Sequence, residues 1–203
     1  MKLIFTLFLI SLTTFAQSKD QVIQDIKRQY LVICELLEQG SLVEISKESD
    51  CTGNGQINTF ASFYYHNDSL VYIHCQRHEG HNDYNDHYYL WNNQLIFFFS
   101  EYSSWIWDYE STPPEQGFTN EIWTYEEQRT YFNNKTPIKC LYKTYQQKSA
   151  DLPHEESNKL SDTIKNVVID CGSELKPEVI RRYLYLRSFQ KDNTNKSICN
   201  VYD

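Results

Sequence analysis

Three eleven-residue segments constrain this chain most: "FYYHNDSLVYI" (63–73), "YYLWNNQLIFF" (88–98) and "TYFNNKTPIKC" (130–140). Each runs from aromatic residues into an Asn-containing pair and returns through apolar residues. Asn and Asp tolerate the left-handed backbone that a two-residue hairpin turn demands, and aromatic and β-branched side chains suit the flanking strands. Three copies are too few and too unevenly spaced for a solenoid, so they predict neighbouring hairpins of one antiparallel sheet. The same composition extends from Leu42 to about Tyr145. The expected fold is therefore α+β, with a curved antiparallel meander of about six or seven strands and N-terminal and C-terminal helices packed against it.

In a two-residue hairpin the numbers of facing residues add to a constant. A turn at Asn67-Asp68 then pairs Tyr64 with Val71 and Phe60 with Cys75; a turn at Asn92-Asn93 pairs Leu90 with Leu95, Tyr88 with Phe97 and His87 with Phe98. Across "EGHNDYND" (79–86) an odd sum collects Val71, Ile73 and Cys75 with Tyr88, Leu90, Leu95 and Phe97 on one apolar face, whereas an even sum splits the set. A one-residue slip turns every side chain over, so burial selects the odd register. The opposite face then carries Tyr72, His74, Gln76, His78, His87, Tyr89, Trp91, Ile96 and Phe98, with His81 in the turn. It is either part-covered by a helix or an exposed platform.

The clearest helix is "SKDQVIQDIKRQYLVICELLEQG" (18–40). Ser18 and Gln21 stand at capping-box spacing, Gly40 follows the end, and Val22, Ile26, Tyr30, Ile33 and Leu37 form one apolar stripe, with Cys34 beside it. Trp105 and Trp107 open a long connection, "SSWIWDYESTPPEQGFTNE", marked as a loop by Pro113, Pro114 and Gly117. A short helix is expected near Leu160 to Val168 and another over "KPEVIRRYLYLRSFQ", with Pro177 in its first turn.

The opening "MKLIFTLFLISLTTFA" combines one cation, a short apolar run and small residues at Thr14 and Ala16, which reads as a secretory signal peptide over 1–16. It is too short to anchor the mature chain across a bilayer. The remainder, 17–203, suits a single domain in a secreted or periplasmic protein. Loss of Lys2 takes the formal charge from −8 to −9. That balance argues against nucleic acid, whose phosphates need clustered cations. All six cysteines, Cys34, Cys51, Cys75, Cys140, Cys171 and Cys199, fall in the mature part and are disulfide candidates, with Cys171–Cys199 the expected C-terminal link.

The run from "GQINTFASFYYHNDSLVYI" through "YYLWNNQLIFFFSE" to "EEQRTYFNNKTPIKCL" resembles a group of uncharacterised exported bacterial proteins with a signal peptide, a first helix and paired aromatic hairpins. The resemblance covers about the central half of the chain and implies the fold without an activity. More distantly the hairpins resemble MORN-like repeats, from which this chain departs in lacking their glycine-rich repeat.

The chemistry-bearing stretch is "HCQRHEGHNDYNDH" (74–87). His74 and His78 lie about 13 Å apart at strand rise, too far to share one ion, although either can meet His87 across the ladder. Two histidines with Asp83 or Asp86 would suit zinc or copper in ligand type. "HEGH" lacks the spacing and helix of a zinc peptidase. "CTGNGQ" (51–56) reads as a turn, and Glu126 and Glu127, adjacent on a strand, point to opposite faces. No catalytic residues are assigned. Sixteen Tyr, eleven Phe and four Trp exceed what a core of this size demands, and aromatic faces beside Asn, Gln and His stack on sugars or anchor protein partners. The expectation is a non-enzymatic exported cell-envelope binding protein for a protein or glycan. Its contacts would be Tyr72, His74, His78, His87, Tyr89, Trp91, Trp105 and Trp107, with Trp123 a further candidate. The alternatives are a periplasmic inhibitor or immunity protein against a secreted enzyme and, behind it, a metal-binding protein or metal-dependent hydrolase.

Overall fold

The computed structural model of the chain describes residues 18–110, 120–149, 157–172, 175–191 and 196–203. The expected signal peptide and the Pro113-Pro114 turn lie outside them. Helix α1 (Lys19–Glu38) starts where the sequence directs: the Ser18 hydroxyl oxygen accepts the Gln21 N–H at 3.2 Å. It stops at Gly40, whose φ of 63° allows Gly40 N–H to reach Leu37 C=O and Ser41 N–H to reach Leu36 C=O. These two bonds satisfy carbonyls the last helical turn leaves open.

Among the described residues eight strands make one antiparallel sheet in chain order: β1 (Val43–Asp50), β2 (Ile57–His66), β3 (Ser69–Glu79), β4 (Asn82–Trp91), β5 (Gln94–Trp107), β6 (Glu121–Asn133), β7 (Thr136–Lys148) and β8 (Val167–Ile169). The fold is α+β, with eight strands where six or seven were expected. One addition lies where a helix was expected near Leu160 to Val168: α2 (Ser157–Thr163) ends early, and three β-branched residues then pair with β7. Trp105 and Trp107 also belong to strand β5, not to a loop, because Trp105, Ile106 and Trp107 continue the ladder opposite Trp123, Ile122 and Glu121.

The hairpin tips Asn67-Asp68, Asn92-Asn93 and Asn134-Lys135 all have positive φ at both positions, as a type I′ turn requires. Beyond each tip the register shifts by one residue. Tyr64 therefore faces Tyr72 and not Val71, Phe60 faces Gln76 and not Cys75, Tyr88 faces Phe98 and not Phe97, and His87 faces Phe99 and not Phe98. Leu90 still faces Leu95, since that pair lies between turn and bulge. The extra residues, Val71, Ile96 and Ile138, all join the α1 layer, so the bulges give the sheet a second apolar surface. Between β3 and β4 the odd register holds: His74 faces His87 and Tyr72 faces Tyr89 around a Gly80-His81 turn.

Helices cover both faces of the sheet. Helix α3 (Leu175–Lys191) and a C-terminal 3₁₀ turn (Ile198–Val201) pack Val179, Tyr183, Leu186, Phe189, Ile198 and Val201 onto Phe63, Ile73, Tyr88, Leu90 and Phe98. Within this layer Asp86, fully buried, meets Arg182 at 2.6 Å. On the other face α1 sets Ile23, Ile26 and Ile33 against Tyr72, Tyr89, Phe97 and Tyr131, with Tyr30 edge-on to Tyr89 and Phe97. Phe97 and Phe98 thus exchange the faces expected for them, and Val71 moves to the α1 side.

The disulfides are Cys51–Cys199 and Cys140–Cys171, not Cys171–Cys199. Each joins elements that the sheet brings together across 148 and 31 residues, a proximity that cysteine spacing does not encode. Cys34 and Cys75 are free; they sit in the α1 and α3 layers, on opposite sides of the sheet, and cannot meet. Burial pushes the Cys75 thiol up to about 12. Among the described residues no helix is long and apolar enough to cross a membrane.

Candidate functional site

Helix α1 covers the hairpin-tip end of its face and leaves the other end to side chains of the sheet itself. Because strand residues alternate, the ladder pairings build this floor in rungs. The first is His74–His87–Phe99–Arg129–Leu141, the second Gln76–Asn85–Glu101–Glu127–Lys143, the third His78–Asp83–Ser103–Tyr125–Tyr145. A fourth places His81, Trp105 and Trp123 in line: His81 stacks on Trp105 at 3.7 Å, and Trp105 lies 6.3 Å from Trp123. Helix α2 brings Ser161 against the second rung. The result is a cleft of about 500 Å³ lined by residues of β3 to β7 and α2. An apolar groove of about 330 Å³, between α1 and the sheet, shares Phe99 and Arg129 with it.

The polar groups of the floor are held in place. His74 and His87 stack at 4.7 Å, with 7° between their planes. His74 Nε2 lies 2.5 Å from Asn85 Oδ1, and Asn85 Nδ2 donates to Glu101 Oε2 at 3.0 Å. His87 Nδ1 lies 2.6 Å from the Tyr72 hydroxyl, and its Nε2 is 3.5 Å from Glu101 Oε2. Burial holds His74 below the ordinary histidine value, against the pull of Asn85 and the nearby carboxylates.

Glu101 and Glu127 stand directly opposite each other on β5 and β6. Like charges so placed destabilise a sheet. Glu127 is offset: its carboxylate sits 2.6 Å from Lys143 Nζ and 2.7 Å from Arg129 Nη2, and accepts from the Ser161 hydroxyl at 2.6 Å. Burial works to raise its pKa, but these hydrogen bonds and cations prevail and hold it below the usual carboxylate range. Arg129 also lies over the Phe99 ring at 4.6 Å and donates to Asn166. Both cations of the floor are thereby committed to Glu127. Glu101 remains 45% exposed, held by the hydrogen bond from Asn85.

The residues expected to bind a ligand separate into three groups. Tyr72 and Tyr89 are buried beneath α1, and Trp91 packs partly into the same layer, so they support the face and are not open on it. His74 and His87 converge, and His74 holds Asn85, which donates to Glu101. His78 pairs with Asp83 at 2.6 Å on the rim, while Trp105 and Trp107 lie edge to face at 4.5 Å at the far end. The donor set considered for zinc or copper is divided: Asp86 points to the opposite face and Asp83 is beside His78. Among the described residues no three His, Cys, Asp or Glu side chains are grouped to hold a metal ion. Sequence reading missed Asn85, Phe99, Glu101, Glu127, Arg129, Lys143 and Ser161. The pairing constants of unbulged hairpins would not have collected them: the one-residue shifts beyond the Asn92-Asn93 and Asn134-Lys135 tips bring Phe99, Glu101 and Lys143 to the face of Asn85 and Glu127.

The chain matches no protein-family model, no curated protein and no solved structure.

Proposed function

We propose that this protein is an exported, non-enzymatic binding protein of the cell envelope and that its ligand, a short glycan segment, lies in the cleft beyond α1. The observation that carries the reading is Glu101: a half-exposed carboxylate, held by a hydrogen bond from Asn85 with His87 beside it, set opposite a second carboxylate whose own charge is offset by Lys143 and Arg129. A local cost of this kind is tolerated where a site needs the group. A carboxylate accepts hydrogen bonds from paired sugar hydroxyls, and Tyr125 and Tyr145, stacked at 4.8 Å in the lining of the same cleft, supply aromatic surface for a sugar ring to pack on. The histidine-rich stretch acts as the support that fixes Glu101.

Calorimetric titration with neutral and amino-sugar oligosaccharides tests this. Hydrogen bonds to a charged acceptor contribute roughly 1.5–3 kcal/mol, so Glu101→Ala should weaken binding at least ~10-fold while its thermal unfolding stays close to that of the parent. Saccharide binding unaltered by Glu101→Ala, or no binding by the folded protein, contradicts it. The acidic formal charge of −8 favours a second reading, an inhibitor of a basic secreted enzyme. Stoichiometric inhibition of a cell-wall hydrolase, without saccharide binding, would select that reading instead.

A further inference from the structure

We infer that two copies of this chain associate through β1, joining their sheets into one continuous antiparallel sheet. Strand β1 is an open edge of the meander: seven of its eight residues are exposed, including Val43 and Ile45 at 67% and 51%. Its hydrogen-bonding phase follows from one bond. Cys51 N–H donates to Ile57 C=O at 2.7 Å, continuing the β1–β2 pairing, so odd-numbered residues of β1 bond to β2. The N–H and C=O groups of Glu44, Ser46 and Glu48 therefore point outward. Such a row is a template for another strand.

The sequence of β1 selects a second copy in a single register. A two-fold axis perpendicular to the sheet keeps each face on its own side, so facing residue numbers must add to an even constant. Four such constants overlap five or more residues of Val43–Asp50. A sum of 92 sets Glu44 against Glu48; 94 sets Glu44 against Asp50 and Lys47 against Lys47; 96 sets Glu48 against Glu48. Only a sum of 90 avoids opposed like charges. It pairs the outward groups of Glu44 with those of the second copy's Ser46, and reciprocally. It also lays the stem of Lys47 along Val43 and brings Ile45 against the second copy's Ile45 on the axis. That pair is of the non-hydrogen-bonded kind, where side chains approach most closely. Both exposed apolar residues of the edge are thereby covered.

The dimer stands apart from the cleft, which begins at β3, and from what the cleft binds. Its axis leaves both α1-side clefts facing the same way, so a repetitive surface could engage two sites at once and gain avidity.

Sedimentation equilibrium from micromolar to several hundred micromolar should show the mass rising toward twice the chain mass, and Ile45→Lys, at an exposed position, should stay monomeric with unchanged circular dichroism. Register is read by oxidation: Ile45→Cys should form a covalent dimer on a non-reducing gel. Lys47→Cys should not link to itself, its two positions lying about 13 Å apart, but should link to Val43→Cys when the two are mixed. A wild-type chain that stays monomeric, a dimer insensitive to Ile45→Lys, or cross-linking of Lys47→Cys to itself overturns the inference.

Discussion

The same strands build two unlike faces. On the α3 side the sheet is covered by a helix and the 3₁₀ turn; Ile73, Cys75, Tyr88, Leu90 and Phe98 have no exposed surface, and the Asp86 carboxylate paired with Arg182 is buried. On the α1 side the aliphatic core lies beneath the helix, and the remaining rungs mix charged and aromatic residues, of which Glu127, Lys143 and Tyr125 are buried and Glu101 is open. Alternation alone would make two equal faces. The asymmetry arises because three hairpin bulges add Val71, Ile96 and Ile138 to one end of the α1 face, while its other end carries Asn85, Glu101, Glu127, Arg129 and Lys143. One face is closed by α3 and the 3₁₀ turn, and the part of the other beyond α1 is left as an open cleft.

The largest expected effect belongs to the stabilising face. Cys51–Cys199 fastens the 3₁₀ turn across 148 residues. On a chain-entropy estimate its loss in Cys51→Ser/Cys199→Ser costs up to about 5 kcal/mol, measured by urea unfolding. Next is Arg182→Ala, which leaves Asp86 buried without its cation and should cost roughly 3–5 kcal/mol. The matching change on the open face, Arg129→Ala, should cost about 1–2 kcal/mol, since Glu127 keeps Lys143 and Ser161. Equal losses for the two arginines would remove the distinction between the faces.

The α1 layer should lie between these extremes: Ile33→Ala, at a fully buried position, is expected to cost roughly 2–4 kcal/mol. Smallest is a pH effect. The His74 pKa is depressed in the fold, so the unfolded chain binds the proton more tightly. Its stabilising contribution is present above about pH 6.5 and declines as pH falls below that value toward the folded pKa. Glu127, held below its ordinary value, contributes nothing to that window, because its loss begins only in the carboxylate range. Urea midpoints should therefore fall from pH 7.5 to pH 5.5 in the parent and fall less in His74→Gln. A parallel decline in both proteins would show that His74 does not carry it.

Much of the scaffold was legible in the residues. Ser18 and Gly40 bound α1, the Asn-containing pairs place the hairpin tips, and the apolar content of β3 and β4 selects the register that brings His74 opposite His87. What escaped was set by longer-range geometry. A bulge needs no special residue at Val71 or Ile96, yet it turned Phe97 and Phe98 to faces opposite those expected. The disulfide partners depend on where the 3₁₀ turn and β8 come to rest. Glu101 and Glu127 carry no motif; they meet only because β5 and β6 pair across a long connection whose register the turn residues do not specify. The histidines drew attention by their density, but the functional reading passed to a carboxylate beside them, held by Asn85.

The most direct test of the division between faces is an amide chemical-shift map of the protein titrated with an oligosaccharide that it binds. Shifts should concentrate in Phe99–Ser103, Tyr125–Arg129 and Lys143–Tyr145, with α3 and the 3₁₀ turn unmoved. Shifts centred on α3 or on the 3₁₀ turn, with the α1-side rungs silent, would contradict the account.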